Sequence, residues 1–199
     1  PSRIILQEPV QTIYKEKTIE RAVPANAFYY AFKMPERRNP DYYVADMLSD
    51  ALGRDKSSRL YIRLKKELHL VSEVNCYVLG SIDEGLLVIS GKLSDEKTFE
   101  ELDEALWTLI DELKHQKMAD SELNRLKIKI KTAKEFQEQG LLNRAMNLCY
   151  FELLGDADGI NEESKIYEMI TPENLQDMSK SLLTKKKCTL LKVKMKQND

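Results

Sequence analysis

The chain has 199 residues, of which 42% are hydrophobic and 32% charged, and its formal net charge is -2 at pH 7. This length and hydrophobic share suffice for a buried core in one large domain. The near-neutral charge argues against partners such as nucleic acid or an acidic membrane, which select a basic excess. No apolar run approaches the roughly 18–20 residues of a membrane helix, so no membrane partner is expected.

The first nine residues, PSRIILQEP, differ in character from the rest of the chain. They hold a short apolar run before Pro9, without an initiator Met and without the architecture of a signal peptide. We expect residues 1–9 to be an extended linker from an upstream domain that is missing here, and residues 10–199 to form a single domain. The targeting of the parent protein is therefore not visible in this sequence.

The three cysteines, Cys76, Cys149 and Cys188, are widely spaced and form no C-x-x-C. An odd number at such spacing argues against a disulfide framework and against a structural zinc site. Each cysteine lies in an apolar segment, so we expect all three to be buried. The compartment is unknown from these residues, with a slight preference for the reducing cytoplasm.

The first half of the chain combines β-prone runs with amphipathic helices. The run 25–34 is aromatic-rich and almost fully apolar, which predicts a central buried strand. Asn39 and Pro40 are typical of a helix start, Gly53 of a helix end, and Ser57 or Ser58 of the next cap. The predicted elements are strands 10–23 and 25–34, helices 40–52 and 59–69, and strands 71–80 and 85–93.

The second half is mainly helical. Helices are predicted from Ser94 to 115, over 118–139 with Asp120 as cap, over 141–154 after a break at Gly140, over 161–169, and over 171–183 with Thr171 as cap. A last strand is predicted at 188–194. The inward residues of helix 141–154 are predicted to be Leu142, Met146, Cys149, Tyr150 and Leu153. This element order predicts an α+β domain with a mainly antiparallel sheet and helices packed on one face.

No catalytic or metal-binding constellation is found in the sequence. The two histidines, His69 and His115, form no H-x-x-H, H-E-x-x-H or H-x-x-E-H motif, and each is expected to end a helix. Nucleophile motifs are absent, and acidic pairs such as Glu162 and Glu163 are interpreted as solvated faces. We therefore predict no catalytic residue, no metal ligand and no cofactor in this chain.

One segment is unusually cationic. Six cations lie within thirteen residues around the predicted helix start at Ser58: Arg54, Lys56, Arg59, Arg63, Lys65 and Lys66. The partial positive charge of a helix N-terminus adds to them. Such a segment could hold a carboxylate, for example a peptide C-terminus, and the alternative is a solvated helix face with local ion pairs.

The same segment resembles a known family. The matching residues run in order through NPDYY at 39–43, LSDAL at 48–52, SSRLY at 57–61 with RL at 63–64, EL at 67–68 and GL at 85–86. Downstream, ELLGD at 152–156 and TPENL at 171–175 fall where the family has similar segments. The chain resembles the second, non-catalytic domain of the insulinase/pitrilysin-type zinc metallopeptidases, which include the mitochondrial processing peptidases.

This resemblance implies a fold, a partner and a cofactor. It implies two related α+β domains around a closed chamber, one carrying H-x-x-E-H and zinc, the other helping to bind an extended peptide. The zinc would lie in the partner half-domain, in the same parent chain or in a partner subunit. A peptide substrate is thus expected, and a homodimer is left open.

The resemblance also shows two departures. Active members carry an Arg and a Tyr, seven residues apart, near the reacting carbonyl, and those positions fall on Lys65 and Ser72. Lysine keeps the charge without the planar fork, and serine is too short to replace a phenol. The glycine-rich loop of some processing peptidases would map to 53–58, which holds one glycine, so its role is not carried over.

Two main hypotheses result. The first is a substrate-binding, non-catalytic half of a zinc endopeptidase, with Arg59, Arg63, Lys65 and Ser72 as candidate substrate-binding residues. The second is a degenerate peptidase-like scaffold without a proteolytic role. A free-standing enzyme of an unrelated class is a third, weaker alternative.

Overall fold

The computed structural model describes residues 9–196, and its centre is one five-stranded sheet. The strands are β1 Lys15–Arg21, β2 Ala27–Met34, β3 Val71–Leu79, β4 Gly85–Leu93 and β5 Cys188–Met195. Their order across the sheet is β1-β5-β2-β4-β3. β1 is parallel to β5 and the other pairings are antiparallel, which confirms the predicted α+β class with a mainly antiparallel sheet.

Six α-helices accompany this sheet within residues 9–196. They are α1 Asp41–Gly53, α2 Phe99–His115, α3 Asp120–Glu138, α4 Leu141–Leu154, α5 Gly159–Met169 and α6 Pro172–Leu182. A π-helix, Tyr61–Glu67, lies between α1 and β3, and a 3-10 turn, Lys185–Lys187, precedes β5. In this described part, no helix has the length and apolar character of a membrane span. The expected linker 1–9 lies, except for Pro9, outside the described residues.

The central strand β2 shows how the sheet builds the core. Phe28, Tyr30 and Phe32 alternate along β2 and are fully buried, whereas Tyr29 on the opposite face is exposed. Each such buried side chain contributes roughly 1.5–3 kcal/mol of burial free energy. The alternation confirms the prediction that the helices pack on one face of the sheet.

Two glycines lie at helix ends. Gly53 is the last residue of α1, as predicted, and it lies against β3 so closely that a Cβ atom would stand 2.2 Å from the backbone nitrogen of Cys76. A larger residue there would push α1 off the sheet. Gly140 lies between α3 and α4, which confirms the predicted break.

Helix starts were predicted with mixed success. Thr171 caps α6 in a capping box, as predicted. The prediction that α2 begins at Ser94 is wrong, because Thr98 caps this helix in a reciprocal box with Glu101. Asp120 does not cap α3, since it is already the first helical residue and the preceding residue makes no side-chain cap bond.

The predicted inward face of α4 is wrong. Four of the five residues assigned to it are exposed, namely Leu142, Met146, Cys149 and Leu153, whereas Tyr150 is partly buried. Phe151 provides the buried contact instead. Burial of all three cysteines therefore fails at Cys149 and holds for Cys76 and Cys188.

Candidate functional site

The cationic segment forms the connection from α1 to the edge strand β3. Its helix widens into a π-helix, in which the N–H of Leu68 donates to the carbonyl oxygen of Arg63, five residues earlier. The turn after it places His69 at φ 52°, a left-handed conformation that ends the helix. π-Helices are rare and often occur at functional sites.

The start of this helix differs from the prediction. Neither the Ser57 nor the Ser58 side chain caps it by accepting a hydrogen bond from the helix, although the backbone carbonyl oxygen of Ser58 accepts from the N–H of Ile62. Instead, the Oγ of Ser58 donates to the carbonyl oxygen of Asp55, and the Asp55 carboxylate accepts from the backbone N–H of Ser57 at 2.8 Å. Asp55 also pairs with Lys129 of α3. Burial alone would raise the pKa of Asp55, but the hydrogen bonds from Lys129 and Ser57 lower it to about 2. The loop is thereby fixed to α3.

Arg59 is directed toward α3. Its Nε and Nη2 donate to the two carboxylate oxygens of Glu122 at 3.0 and 2.8 Å, and both side chains are mostly buried. A bidentate pair of this kind has fixed geometry and uses much of the donor capacity of the guanidinium. Arg59 therefore ties the segment to the helical layer.

Arg63 and Lys65 lie farther along the π-helix. Arg63 donates to Glu67 at 2.9 Å in an exposed pair at i,i+4 spacing. The Lys65 ammonium lies 5.3 Å from the ring centroid of Tyr61, and that of Lys66 lies 5.7 Å from it. Much of the cationic cluster is thus engaged locally, as the solvated-face alternative expects.

Ser72 lies where β3 is irregular. The pairing of β3 with β4 shifts register between Val71 and Glu73, and the Ser72 Oγ is 3.4 Å from the carbonyl oxygens of Lys92 and Leu93. The pKa of the Glu73 carboxyl is lowered, first by its hydrogen bond from Lys92 and also by the charge of Lys65. Ser72 therefore lies at the irregular start of β3, Lys65 lies on the preceding π-helix, and Arg59 is held against α3.

The strand that carries Ser72 is an edge strand. In the sheet order, β3 stands at one end and pairs with β4. Its residues alternate, with Val74 and Cys76 buried against the helices and Asn75 and Tyr77 exposed on the opposite face. An edge of this kind presents backbone donors and acceptors to which an extended peptide can add as a further strand.

A second cluster, buried among the helices, was missed by the sequence interpretation. Glu163, interpreted as a solvated acid, is buried and pairs with both Arg37 and Lys134. The Arg37 guanidinium stacks over the rings of Tyr42 and Tyr43, 4.5 and 4.7 Å from their centroids. Burial opposes its charge, but Glu163 and the tyrosines raise the pKa of Arg37 above its ordinary value.

This buried cluster borders a polar cavity of about 320 Å³ between α1, α3, α4 and α5. The Oη of Tyr167 donates to the Asp46 carboxylate at 2.5 Å. Burial raises the pKa of Asp46 despite this hydrogen bond. One signal for the cluster was available in the sequence, because Glu163 stands four residues before Tyr167 and so shares a helix face with it.

The described part of the chain offers no metal-binding group, and two of its three thiols are buried. Between residues 9 and 196, no group of three or more His, Cys, Asp or Glu side chains could hold a metal ion. Burial raises the pKa of the Cys188 thiol to about 12 and that of Cys76 well above its usual range, so both thiols stay protonated. His115 is exposed at the end of α2, as predicted.

Comparisons with known proteins agree with this picture. Residues 1–130 match the family model described as the peptidase M16 inactive domain. Comparison with curated protein sequences gives no match.

Three solved structures illustrate the similarity of fold. A protease from Helicobacter pylori aligns at TM-score 0.89 and 19% identity over 96% of this chain and 46% of its own. The inactive peptidase domain of a candidate zinc protease from Bordetella parapertussis aligns at TM-score 0.81 and 18% identity, over 91% and 96%. A chain of Complex III2 from Candida albicans aligns at TM-score 0.76 and 16% identity, over 92% and 46%.

The chain thus spans about half the length of the first and third of these proteins. The family model covers well over half of the chain, and the whole described sheet has the same fold as the inactive peptidase domain. The chain belongs to the peptidase M16 inactive-domain family, the non-catalytic C-terminal domain of insulinase-like zinc proteases.

Proposed function

We propose that this domain is the substrate-binding, non-catalytic half of a zinc-dependent endopeptidase that acts on peptides. The observation that carries the proposal is the match to the inactive-domain family in a chain that spans 46% of the Helicobacter pylori protease. The zinc and the H-x-x-E-H motif would lie in a partner half of similar size. Residues 10–199 would be the folded domain and residues 1–9 the linker toward that half.

The edge of β3 is the proposed peptide site. An extended peptide added along β3 would gain main-chain hydrogen bonds, and Lys65 of the π-helix together with Ser72 of β3 would favour an acidic group or a C-terminal carboxylate at the start of the strand. Arg63 lies on the same π-helix within reach of solvent. Arg59 would act indirectly, since its bidentate bond to Glu122 fixes the position of the helix.

Reconstitution tests the proposal. The purified chain is mixed with the zinc-binding half, and cleavage of a fluorogenic peptide is followed with each part alone and with both. We expect cleavage only from the mixture. Full cleavage by the zinc-binding half alone would refute a substrate-binding role.

Charge variants test the site itself. Lys65→Glu should weaken the association of an acidic peptide about tenfold, whereas Lys114→Glu, a matched change at the end of α2, should leave it unchanged. Arg59→Glu should weaken association only through helix position, so the swap of Arg59→Glu with Glu122→Arg should restore it. Equal affinities of all these variants for the peptide would show that the cationic segment is a solvated helix face and not a binding site.

The alternative function is a peptidase-like scaffold without proteolysis. Lysine and serine at 65 and 72 favour it, because neither reproduces the Arg and Tyr of active relatives, and one similar structure is a chain of Complex III2. The upstream sequence of the parent decides between the two. An intact H-x-x-E-H supports the peptidase, and a corrupted one supports the scaffold.

A further inference from the structure

Helix α4 exposes a continuous apolar face to solvent. Leu142, Met146, Cys149 and Leu153 succeed one another at spacings of four, three and four residues, and all are exposed. Leu142 is 72% exposed, and Met146 and Leu153 are each 60% exposed. This 4-3-4 spacing places the four side chains in one row along the helix, the arrangement by which helices pack on a partner surface.

The rest of α4 accentuates this face. Leu141 is 87% exposed, and Leu148 and Ala145 are exposed as well. Among the fourteen residues of the helix only Arg144 and Glu152 carry a charge. We call the exposed apolar residues of α4 the α4 face. Its area, roughly 500 Å² on typical side-chain surfaces, is at the upper end of what monomeric proteins leave exposed.

The opposite side of α4 already has its partners in the domain. Phe151 is buried, and Gly159 of α5 lies so close that a Cβ atom there would be 2.9 Å from the Phe151 ring. Tyr150 and Asn147 border the polar cavity beside Arg37. The helix is therefore held by one side only, and the α4 face is not a core that a small rearrangement would bury.

We propose that the α4 face is a docking surface for the zinc-binding half of the parent protease. This inference rests on the proposed function. The similar Helicobacter pylori and Pseudomonas fluorescens structures are about twice as long as this chain, which covers 46% and 47% of them. A second portion of comparable size is therefore available to cover the helix. A low share of charged residues and an exposed methionine are typical of the buried centre of a protein interface.

A membrane surface fits the α4 face less well, and a second copy of the chain is the competing occupant. A membrane surface attracts amphipathic helices that carry several lysines or arginines beside the apolar face, and α4 offers Arg144 alone. A second copy of this chain would satisfy the apolar surface equally, so self-association is measured in the same experiment.

Cys149 provides a reporter in the middle of the α4 face. It is exposed, whereas Cys76 and Cys188 are buried, so a maleimide should react first at Cys149. The rate of its modification is measured for the chain alone and with a saturating amount of the zinc-binding half. We expect at least tenfold protection in the complex. An unchanged rate in a complex that has formed would overturn the docking inference and leave the proposed function intact.

Substitutions give an independent test by calorimetric titration with the zinc-binding half. Leu142→Glu and Met146→Glu should each weaken association at least tenfold without a change in thermal stability, because both side chains are exposed. Ile128→Glu, at a 67% exposed position on α3, is the matched control and should bind as the unchanged chain does.

The outcomes separate the two proposals. Unchanged binding by both α4 variants would place the interface elsewhere. Protection of Cys149 at rising concentrations of the chain alone, with a dimer in sedimentation velocity, would assign the α4 face to a second copy and overturn the inference. No association between the unchanged chain and the zinc-binding half would refute the proposed function and, with it, this docking surface.

Discussion

Substitution of Arg37 by alanine should destabilise the domain strongly, because it removes one partner of a buried ion pair and leaves the other charge buried. The side chain of Arg37 is 12% exposed and that of its partner Glu163 is 9% exposed. Without the guanidinium, the Glu163 carboxylate stays buried with Lys134 as its remaining counter-charge, and the stacking on Tyr42 and Tyr43 is lost.

The magnitude can be worked out from these contacts. Removal of one partner of a buried pair costs about 3–5 kcal/mol, and the counter-charge of Lys134 places this case at the lower end. We therefore expect a loss of about 3–4 kcal/mol in the free energy of unfolding. For a domain of this size, that loss corresponds to a fall in melting temperature of roughly 6–16 °C.

The adjacent residue provides a matched control. Arg38 is exposed and donates one hydrogen bond, at 3.3 Å, to the carbonyl oxygen of Leu153. Arg38→Ala should cost less than about 1 kcal/mol. Urea denaturation followed by circular dichroism measures both variants. A double-mutant cycle with Glu163→Ala should give a coupling energy of about 1–3 kcal/mol. Equal losses for the two arginine variants would refute the assignment of Arg37 as a buried anchor.

Three further predictions concern the core, the cationic segment and pH. Leu60→Ala should lower the free energy of unfolding, measured by urea denaturation, by about 2–5 kcal/mol because Leu60 is fully buried. Ile62→Ala, at an exposed position on the same helix, should lower it by less than half as much. Similar losses for the two variants would mean that a different face of the helix packs on the sheet. Glu122→Gln should cost about 1 kcal/mol and loosen the π-helix, because the bidentate bond to Arg59 is partly exposed; unchanged hydrogen exchange in that helix would contradict this. Burial raises the pKa of Asp46, so its contribution to stability is present below the pKa of the unfolded chain and is lost as pH rises through the folded-state pKa. Asp46→Asn should therefore gain stability relative to the unchanged chain as pH rises from about 4 toward 7, and a constant difference across that range would show that Asp46 does not titrate in this way.

Helix ends and the central strand could be predicted from short sequence patterns, because neighbouring residues determine them. Thr171 with the adjoining proline specifies a helix start within four residues, and Thr171 forms the predicted cap, in a capping box closed by Asn174. The apolar run at 25–34 predicts a central strand because a strand inside a sheet is buried. The structure agrees, since β2 pairs with β4 on one side and with β5 on the other. The break at Gly140 is likewise consistent with the low helix propensity of glycine.

The predictions that failed depend on contacts between residues that are distant in sequence or on which helix face the domain leaves exposed. Hydrophobic periodicity identified the apolar residues of α4, but it does not show whether those residues face the core of this domain, and in the structure they are exposed. Glu163 is surrounded by polar residues in sequence, and its burial results from Arg37 and Lys134, which lie in other elements. The roles of Arg59, Arg63, Lys65 and Ser72 in peptide binding stay predictions.

The parallel pair β1 and β5 has a consequence for synthesis of the domain. Lys15 pairs with Thr189, so the first strand cannot join the sheet until the last strand has left the ribosome. Until then, the outer edge of β2 is also unpaired, because β5 lies between β1 and β2. During translation the nascent sheet thus exposes a hydrophobic strand edge, the feature most prone to pair with another chain. A product shortened before Cys188 would keep that edge permanently, and we expect it to be recovered from cells as aggregate or through chaperones.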